Sequence, residues 1–424
     1  MGDQFKVIVA HPAQQHSFRT AEALKNSGYL FKYITTVYQK QNTLTSMITK
    51  VLKGDNLKRA NSRRSKKLED NEVIQFCEIE SLILLLLQRI DKSKLLYSRW
   101  NQIIVKLFNK KLVKYAIKNN VDAIIMFDTV AGSAVELLNK RAPNMTKIID
   151  MSAPNLSYME KIFKEDINRS NNNECVALKN ELNSPLYKKI LKNSRTEIKL
   201  ADYFLVASTF SERSLLYDNI NRSKIFKCPY GIENEQNFYK EINKKDNEKL
   251  KCVYVGRVTQ KKGANHLFNA ISRLNLNDFS FKFLGSYNDK NLYYNFYKEL
   301  CDFEGHVTKD KVMDIYSNSD ILVFPSLADG FGLSVLEALA CGVPVICSSN
   351  AGASDLIING YNGFVITSGS TQEIIEKLQW FNTNRDKLSA MSKNASETAQ
   401  RYTWGQYNKN IGNAMKQIME CEFD

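Results

Sequence analysis

Short apolar runs recur along this chain, each followed by a segment with helical spacing. FKVIVA, VDAIIMFD, TKIIDMS and ADYFLVAS are continuous rather than alternating, and AGSAVELLNKRAP follows the second of them. Runs of that kind predict parallel strands covered on both faces. Residues 239–251 are charged and lack apolar periodicity, which reads as a linker. The pattern then restarts with CVYVGRV, FSFKFLGS, ILVFPS and PVICSS, again separated by helical segments. The expected fold class is α/β: two Rossmann-like, doubly wound parallel-sheet domains facing a central cleft. The first spans 1–238 and the second begins at 239. Residues 40–118 read as a largely helical, basic insertion in the first domain, with an apolar ridge at 83–87.

The length of 424 residues fits two domains, and 43% hydrophobic content supplies their cores. The longest purely apolar run, 82–87, is far too short to span a bilayer. The N-terminus enters strand pattern at once, so no export signal is expected and the chain reads as cytoplasmic. Eight cysteines without a C-x-x-C pair and only four histidines argue against zinc and for reduced thiols.

Charge is unevenly spread. Residues 1–240 hold 39 Lys and Arg against 24 Asp and Glu, whereas residues 241–424 hold 20 against 21. The basic excess therefore belongs to the first half. It is densest at Lys50, Lys53, Lys58, Arg59, Arg63, Arg64, Lys66 and Lys67, with one acid among them. Such a stretch suits a polyanion or is simply a solvated loop.

In doubly wound sheets, ligands sit beyond the carboxyl ends of the strands, so the turns there carry the chemistry. In VGRVTQKKG, Gly256 lets backbone approach a ligand while Arg257 and Lys262 bring positive charge suited to a diphosphate. In FEGHV, the Gly305-x-Val307 step could seat a flat base. In FPSLADGFGLSVLEALA, the amides of Gly332, Leu333 and Ser334 open an apolar helix and are candidates for phosphate, with Gly330 and Gly332 keeping that surface bare and Phe331 between them a further donor-binding candidate. Glu337 lies one turn into that helix, where vicinal sugar hydroxyls would satisfy both its oxygens. Asp329 precedes it by eight positions. A plain structural reading, an acid favouring the helix dipole and a partnered core glutamate, stands beside the binding one.

Taken together, VGRVTQKKG, FEGHV, SDILVFPSLADGFGLSVLEALACGVPVICSSNAGASDLI and YTWGQYNKNI resemble, in order and spacing, the retaining nucleotide-sugar glycosyltransferases of the GT-B fold. The likeness is dense from about 252 to 411. It implies that Arg257 and Lys262 clamp the donor diphosphate, Glu337 holds the ribose, Asp329 contacts the donor sugar near its anomeric carbon, and Gly256 and Val307 border the nucleotide. It also implies transfer of a hexose-type sugar, UDP-linked in the commonest case, with no metal or other cofactor. The acceptor would be a glycan or lipid-linked oligosaccharide in cell-surface polysaccharide synthesis. Asp329 departs from the family's usual glutamate, and HPAQQHSFR replaces a usual glycine pair. His16, Asp128 and Asp150 are the candidates on the acceptor side. By the same analogy the second domain runs to 405, and 406–424 crosses back to brace the first, with Trp404 as a packing anchor.

The basic half then gains a reading as a peripheral contact with an anionic membrane on its inner face. Two other classes stand against this one. A nucleotide-sugar epimerase shares the architecture but lacks the Asp329–Glu337 turn. A basic scaffold or nucleic-acid-binding protein lacks its signature here, since no basic motif interleaved with aromatics is present. No nucleic-acid partner is therefore expected.

Overall fold

The structure, a computed structural model, describes residues 5–91, 94–170, 175–233, 248–287 and 296–423. Seven strands form the first sheet: β1 (Val7–Ala10), β2 (Leu30–Thr35), β3 (Val73–Gln75), β4 (Ala123–Phe127), β5 (Thr146–Met151), β6 (Tyr203–Val206) and β7 (Ile225–Lys227). Their order is β3-β2-β1-β4-β5-β6-β7 and every pairing is parallel. Six more form the second: β8 (Leu250–Val255), β9 (Phe279–Leu284), β10 (Asp302–Gly305), β11 (Ile321–Phe324), β12 (Val345–Ser348) and β13 (Gly363–Ile366). That sheet runs β10-β9-β8-β11-β12-β13, also parallel throughout.

The two-domain α/β fold expected from the apolar runs is the one present. The continuous runs became central strands: β4 and β5 are buried at every position, because helices cover both faces. Strands that the pattern missed are β2, β3, β7, β10 and β13. Four of these are sheet edges, short and partly exposed, so they need no unbroken apolar run. The 40–118 segment is largely helical and also contributes a strand to the sheet. Helices Leu44–Thr49, Gly54–Asn61, Glu78–Ile90 and Leu95–Lys118 flank β3, which is paired to β2.

In each sheet the strand order reverses once, between β1 and β4 and between β8 and β11. Loops leaving those strands open a crevice at the carboxyl edge. One apolar core continues across the two crevices, from Val9 and Phe127 through Tyr230 and Phe331 to Leu322 and Val335. The expected domain boundary at 238/239 lies outside the described residues, and the linker's end, from Leu250, is already strand β8. Helix Trp404–Phe423 lies on helix Ser17–Asn26 of the first domain. Tyr407 Oη and Thr20 Oγ1 meet at 2.9 Å, and a Cβ on Gly412 would stand 2.5 Å from Ser27 Oγ. The cysteines form no disulfide among the described residues and are buried except for Cys421.

Candidate functional site

Two loops meet at the second sheet's reversal point. The loop after β8 carries Gly256, Arg257 and Lys262, and the loop after β11 carries Asp329. Tyr254 Oη, buried beneath, donates to the Arg257 carbonyl at 2.7 Å, and Leu327 N donates to the Lys261 carbonyl at 3.0 Å. These bonds fix the loops to each other. Lys262 Nζ forms an ion pair with Asp329 Oδ2. The Arg257 side chain is exposed, and no hydrogen bond or ion pair holds its guanidinium among the described residues.

Helix Leu333–Ala340 starts beside this pair. Its cap is Gly332 at φ +89°, a left-handed conformation that a side chain would strain. A Cβ there would also stand 3.2 Å from the Phe324 ring. The amides of Gly332, Leu333 and Ser334 find no acceptor among the described residues, so the positive end of the helix is open. Phe331 contributes backbone only, because its ring is buried against Tyr230 at 5.4 Å. Glu337 sits one turn on. Its only ionic partner among the described residues is Lys309 Nζ, at 3.9 Å, and burial pushes its carboxyl above the usual range. Val307 is half-buried just before helix Lys309–Ser317, whose N-cap is Thr308.

The first domain holds this loop from the other side. Ser208 Oγ and Ser211 Oγ donate to the Gly330 carbonyl at 2.7 and 3.1 Å. A Cβ on Gly330 would stand 2.4 Å from the Ser152 carbonyl oxygen, so only glycine permits this approach of the two backbones. Asp329 itself is pinned through its main chain, donating to Asn350 O and accepting from Gly352 N, each at 3.0 Å.

The three acceptor-side candidates lie together at the first sheet's reversal point. His16 Nε2 is 3.1 Å from Asp150 Oδ2 and 3.2 Å from Tyr230 Oη. Thr20 Oγ1 donates to Asp150 at 3.1 Å. Asp128 accepts from the amide and hydroxyl of Ser152 at 2.7 and 2.6 Å, and burial lifts its pKa to about 6. Phe331, Tyr230, His16 and Asp150 thus form a continuous contact from the donor-side loop to this cluster.

Sequence reading passed over His11, Tyr230, Tyr407 and Glu197. His11 is buried, and its pKa is lowered to about 4 by burial. Its Nδ1 accepts from Ala13 N at 2.8 Å while Nε2 has no hydrogen-bond partner among the described residues. Its position, one residue past β1, was the available signal. Glu197 accepts from the amides of Thr129 and Gly132 at 2.8 Å each, capping helix Gly132–Arg141 from sixty-five residues away. Nothing local in sequence marks that role.

Beyond Leu327 and Asn350 the crevice widens into a cavity of about 520 Å³ between the domains, lined also by Asp166, His266, Arg169 and Arg273. Asp166 Oδ1 and His266 Nε2 join across the domains at its edge, 2.7 Å apart. Among the described residues no group of three or more His, Cys, Asp or Glu side chains is arranged to hold a metal ion.

Residues 235–398 match the model of the family described as glycosyl transferases group 1. An uncharacterized glycosyltransferase of Methanocaldococcus jannaschii is 28% identical over 51% of this chain and 61% of its own length. A capsular polysaccharide biosynthesis glycosyltransferase of Staphylococcus aureus is 30% identical over 34% of this chain and 39% of its own. The chain thus matches less than two thirds of either relative. Among solved structures, sucrose-phosphate synthase from Thermosynechococcus elongatus superposes with a TM-score of 0.64 at 15% identity, covering 99% of this chain and 100% of that one. Anabaena HepE in complex with UDP-glucose gives 0.61 at 14%, covering 97% and 100%. The overall architecture is GT-B.

Proposed function

From the match of residues 235–398 to the glycosyl transferases group 1 family, we propose that the chain belongs to that family and transfers a sugar from a nucleotide-sugar donor. The observation that carries this is the convergence at one crevice of Arg257, Lys262, the open amides of Gly332–Ser334 and the under-partnered Glu337. Fixed positive charge and unpaired amides stabilise a diphosphate, most of all as it departs. Glu337, with one distant cation for company, accepts hydroxyl protons from a ribose. UDP linked to a hexose is the donor we favour, since HepE, of like fold, is described with UDP-glucose.

Retention of configuration is part of the proposal. The acceptor oxygen attacks the anomeric carbon on the face the diphosphate leaves, the carbon–phosphate-oxygen bond breaks, and the acceptor proton passes to the departing phosphate oxygen. Asp329, neutralised by Lys262, orients the sugar rather than attacking it. No metal or other cofactor takes part. A growing polysaccharide or lipid-linked glycan is the proposed acceptor, the staphylococcal relative being named for capsule synthesis. His16, Asp128 and Asp150 face the site from the acceptor side.

Incubation with radiolabelled nucleotide sugars and chelator tests this reading. Donor hydrolysis or transfer for one nucleotide, abolished in Lys262→Ala, is the expected result. A folded protein inert to all donors overturns it.

A further inference from the structure

The most apolar run in the sequence, 82–87, is not in the core. It lies in helix Glu78–Ile90, in which Ser81 is the one buried residue. Ile79, Ile83, Leu86 and Ile90 are exposed by 59%, 41%, 58% and 71%, and their spacing of four, three and four places them on one helical stripe. Helix Leu44–Thr49 and the segment after it expose Leu44, Met47, Ile48 and Val51. The first half of helix Leu95–Lys118 exposes Leu95, Leu96 and Ile103.

These helices are neighbours. Thr45 N and Oγ1 donate to Glu78 Oε1 at 2.7 and 2.6 Å, and Trp100 Nε1 donates to the Glu80 carbonyl at 2.9 Å. Of the 21 large hydrophobics exposed among the described residues, 12 fall between 44 and 107, so the patch is a property of this region and not of the surface at large. Contiguous apolar surface of this kind marks an interaction site.

Its rim is basic. Residues 44–107 carry 13 Lys and Arg against 7 Asp and Glu. Lys50, Lys53, Lys58, Arg59, Lys66 and Lys67 are exposed and make no ion pair among the described residues. Arg63 and Arg64 are engaged otherwise: Arg63 is half-buried, and Arg64, though exposed, donates to the Gln39 carbonyl at 2.8 Å and pairs with Asp70 at 3.0 Å. Apolar side chains flanked by cations match the boundary between acyl chains and anionic headgroups, whereas a soluble acidic partner would not need so broad an apolar face. No described helix is long and apolar enough to cross a membrane.

We propose that helices Leu44–Thr49, Glu78–Ile90 and the start of Leu95–Lys118 together form a surface that inserts into one leaflet of an anionic bilayer, the basic rim resting on the headgroups. The charge of residues 50–67 alone suggested contact with a membrane; the exposed apolar stripe makes it insertion. Helix Glu78–Ile90 starts three residues after β3, at the carboxyl edge that also bears His16, Asp128 and Asp150. Asn109, farther along helix Leu95–Lys118, donates to the Val130 carbonyl at 2.8 Å, two residues past Asp128. The proposed surface thus lies on the domain that carries the acceptor-side candidates. The inference does not rest on the proposed transfer reaction.

Flotation of the full chain with vesicles of phosphatidylcholine, alone or mixed equally with phosphatidylglycerol, tests it. The wild type is expected to float with the anionic vesicles, and the double variant Ile83→Glu, Leu86→Glu to lose at least about tenfold in partition. Ile358→Glu, an exposed apolar residue of the second domain, keeps wild-type partition, and unchanged unfolding midpoints show that the variants fold. Indifference to anionic vesicles, or equal flotation of the double variant, overturns the proposal. So does a lipid-free dimer that the double variant converts to monomer without any vesicle binding by the wild type, which assigns the face to a second copy. No donor or acceptor is present, so loss of the transferase reading leaves this outcome unaffected.

Discussion

Lys262 and Asp329, sixty-seven residues apart, are ion-paired at the point where the loops after β8 and β11 meet. In the free protein the lysine proposed to hold a diphosphate is thus held by the carboxylate proposed to face the sugar. A partly exposed pair of this kind stabilises the fold by about 1 kcal/mol or less. Its consequence is for binding: phosphate and Asp329 compete for one ammonium group.

Asp329→Asn releases Lys262. Nucleoside diphosphate alone should bind the variant about as tightly as wild type or up to roughly fivefold tighter, the limit set by a pair of that strength. Turnover should fall by about 10²-fold, since sugar orientation is lost. Calorimetry with the diphosphate, paired with initial rates, checks both signs. Weaker binding by the variant contradicts the competition.

Glu337→Gln replaces a carboxylate whose pKa burial raises and whose one ionic partner among the described residues is 3.9 Å away. Folding stability should be unchanged or slightly higher, because no strong pair is broken. Nucleotide affinity should drop by roughly tenfold, as a charge-assisted hydrogen bond to ribose becomes a neutral one. Denaturant titration and calorimetry separate the two effects.

Gly330→Ala pushes a methyl group into the Ser152 carbonyl. Besides the core shared across the crevices, each sheet has a core of its own, so the expected outcome is two folded domains that no longer close. A near-native circular dichroism spectrum with an increased radius of gyration in solution scattering and lost activity would bear this out. An unchanged radius with full activity would show that the contact is dispensable.

Asp128 gives a pH dependence whose sign is fixed. Its pKa rises from 3.8 to about 6 on burial, with Asp150 adding to the rise while His16 and the Ser152 bonds oppose it. Between those values the folded state binds more protons than the unfolded one, so this group's contribution to stability falls as pH rises from about 4 to about 6. Asp128→Asn lacks that loss. Its stability relative to wild type should climb across the same window, by at most about 3 kcal/mol, and level off above it. Urea titrations at a series of pH values measure the difference directly.

Much of this architecture was legible as sequence, for reasons particular residues make plain. Ile124, Ile125 and Met126 sit in a strand covered on both faces, and such strands cannot avoid an unbroken apolar run. Val73–Gln75 and Ile225–Lys227 are edges of three residues each, and their pairing comes from the neighbouring strand rather than from their own pattern. At the crevice, Gly330 and Gly332 stood out because glycine is needed where backbones close up or turn left-handed. The link from Phe331 through Tyr230 to His16 joins residues over three hundred positions apart, and no local spacing carries it. Glu197 is similar, since the amides that donate to it, those of Thr129 and Gly132, lie more than sixty positions back along the chain. The Ile79–Ile90 stripe reads in sequence only as an apolar ridge; that its side chains are exposed among the described residues is visible in the structure alone.

The account turns on whether the crevice between β8 and β11 holds a nucleoside diphosphate sugar. Isothermal titration of the pure protein with UDP, GDP and ADP and their common hexose conjugates, in chelator, asks this directly. The predicted result is saturable binding selective for one base, weakened at least about tenfold by Arg257→Ala and likewise by Glu337→Gln. Folded protein that binds none of them, or binding indifferent to both substitutions, contradicts the account.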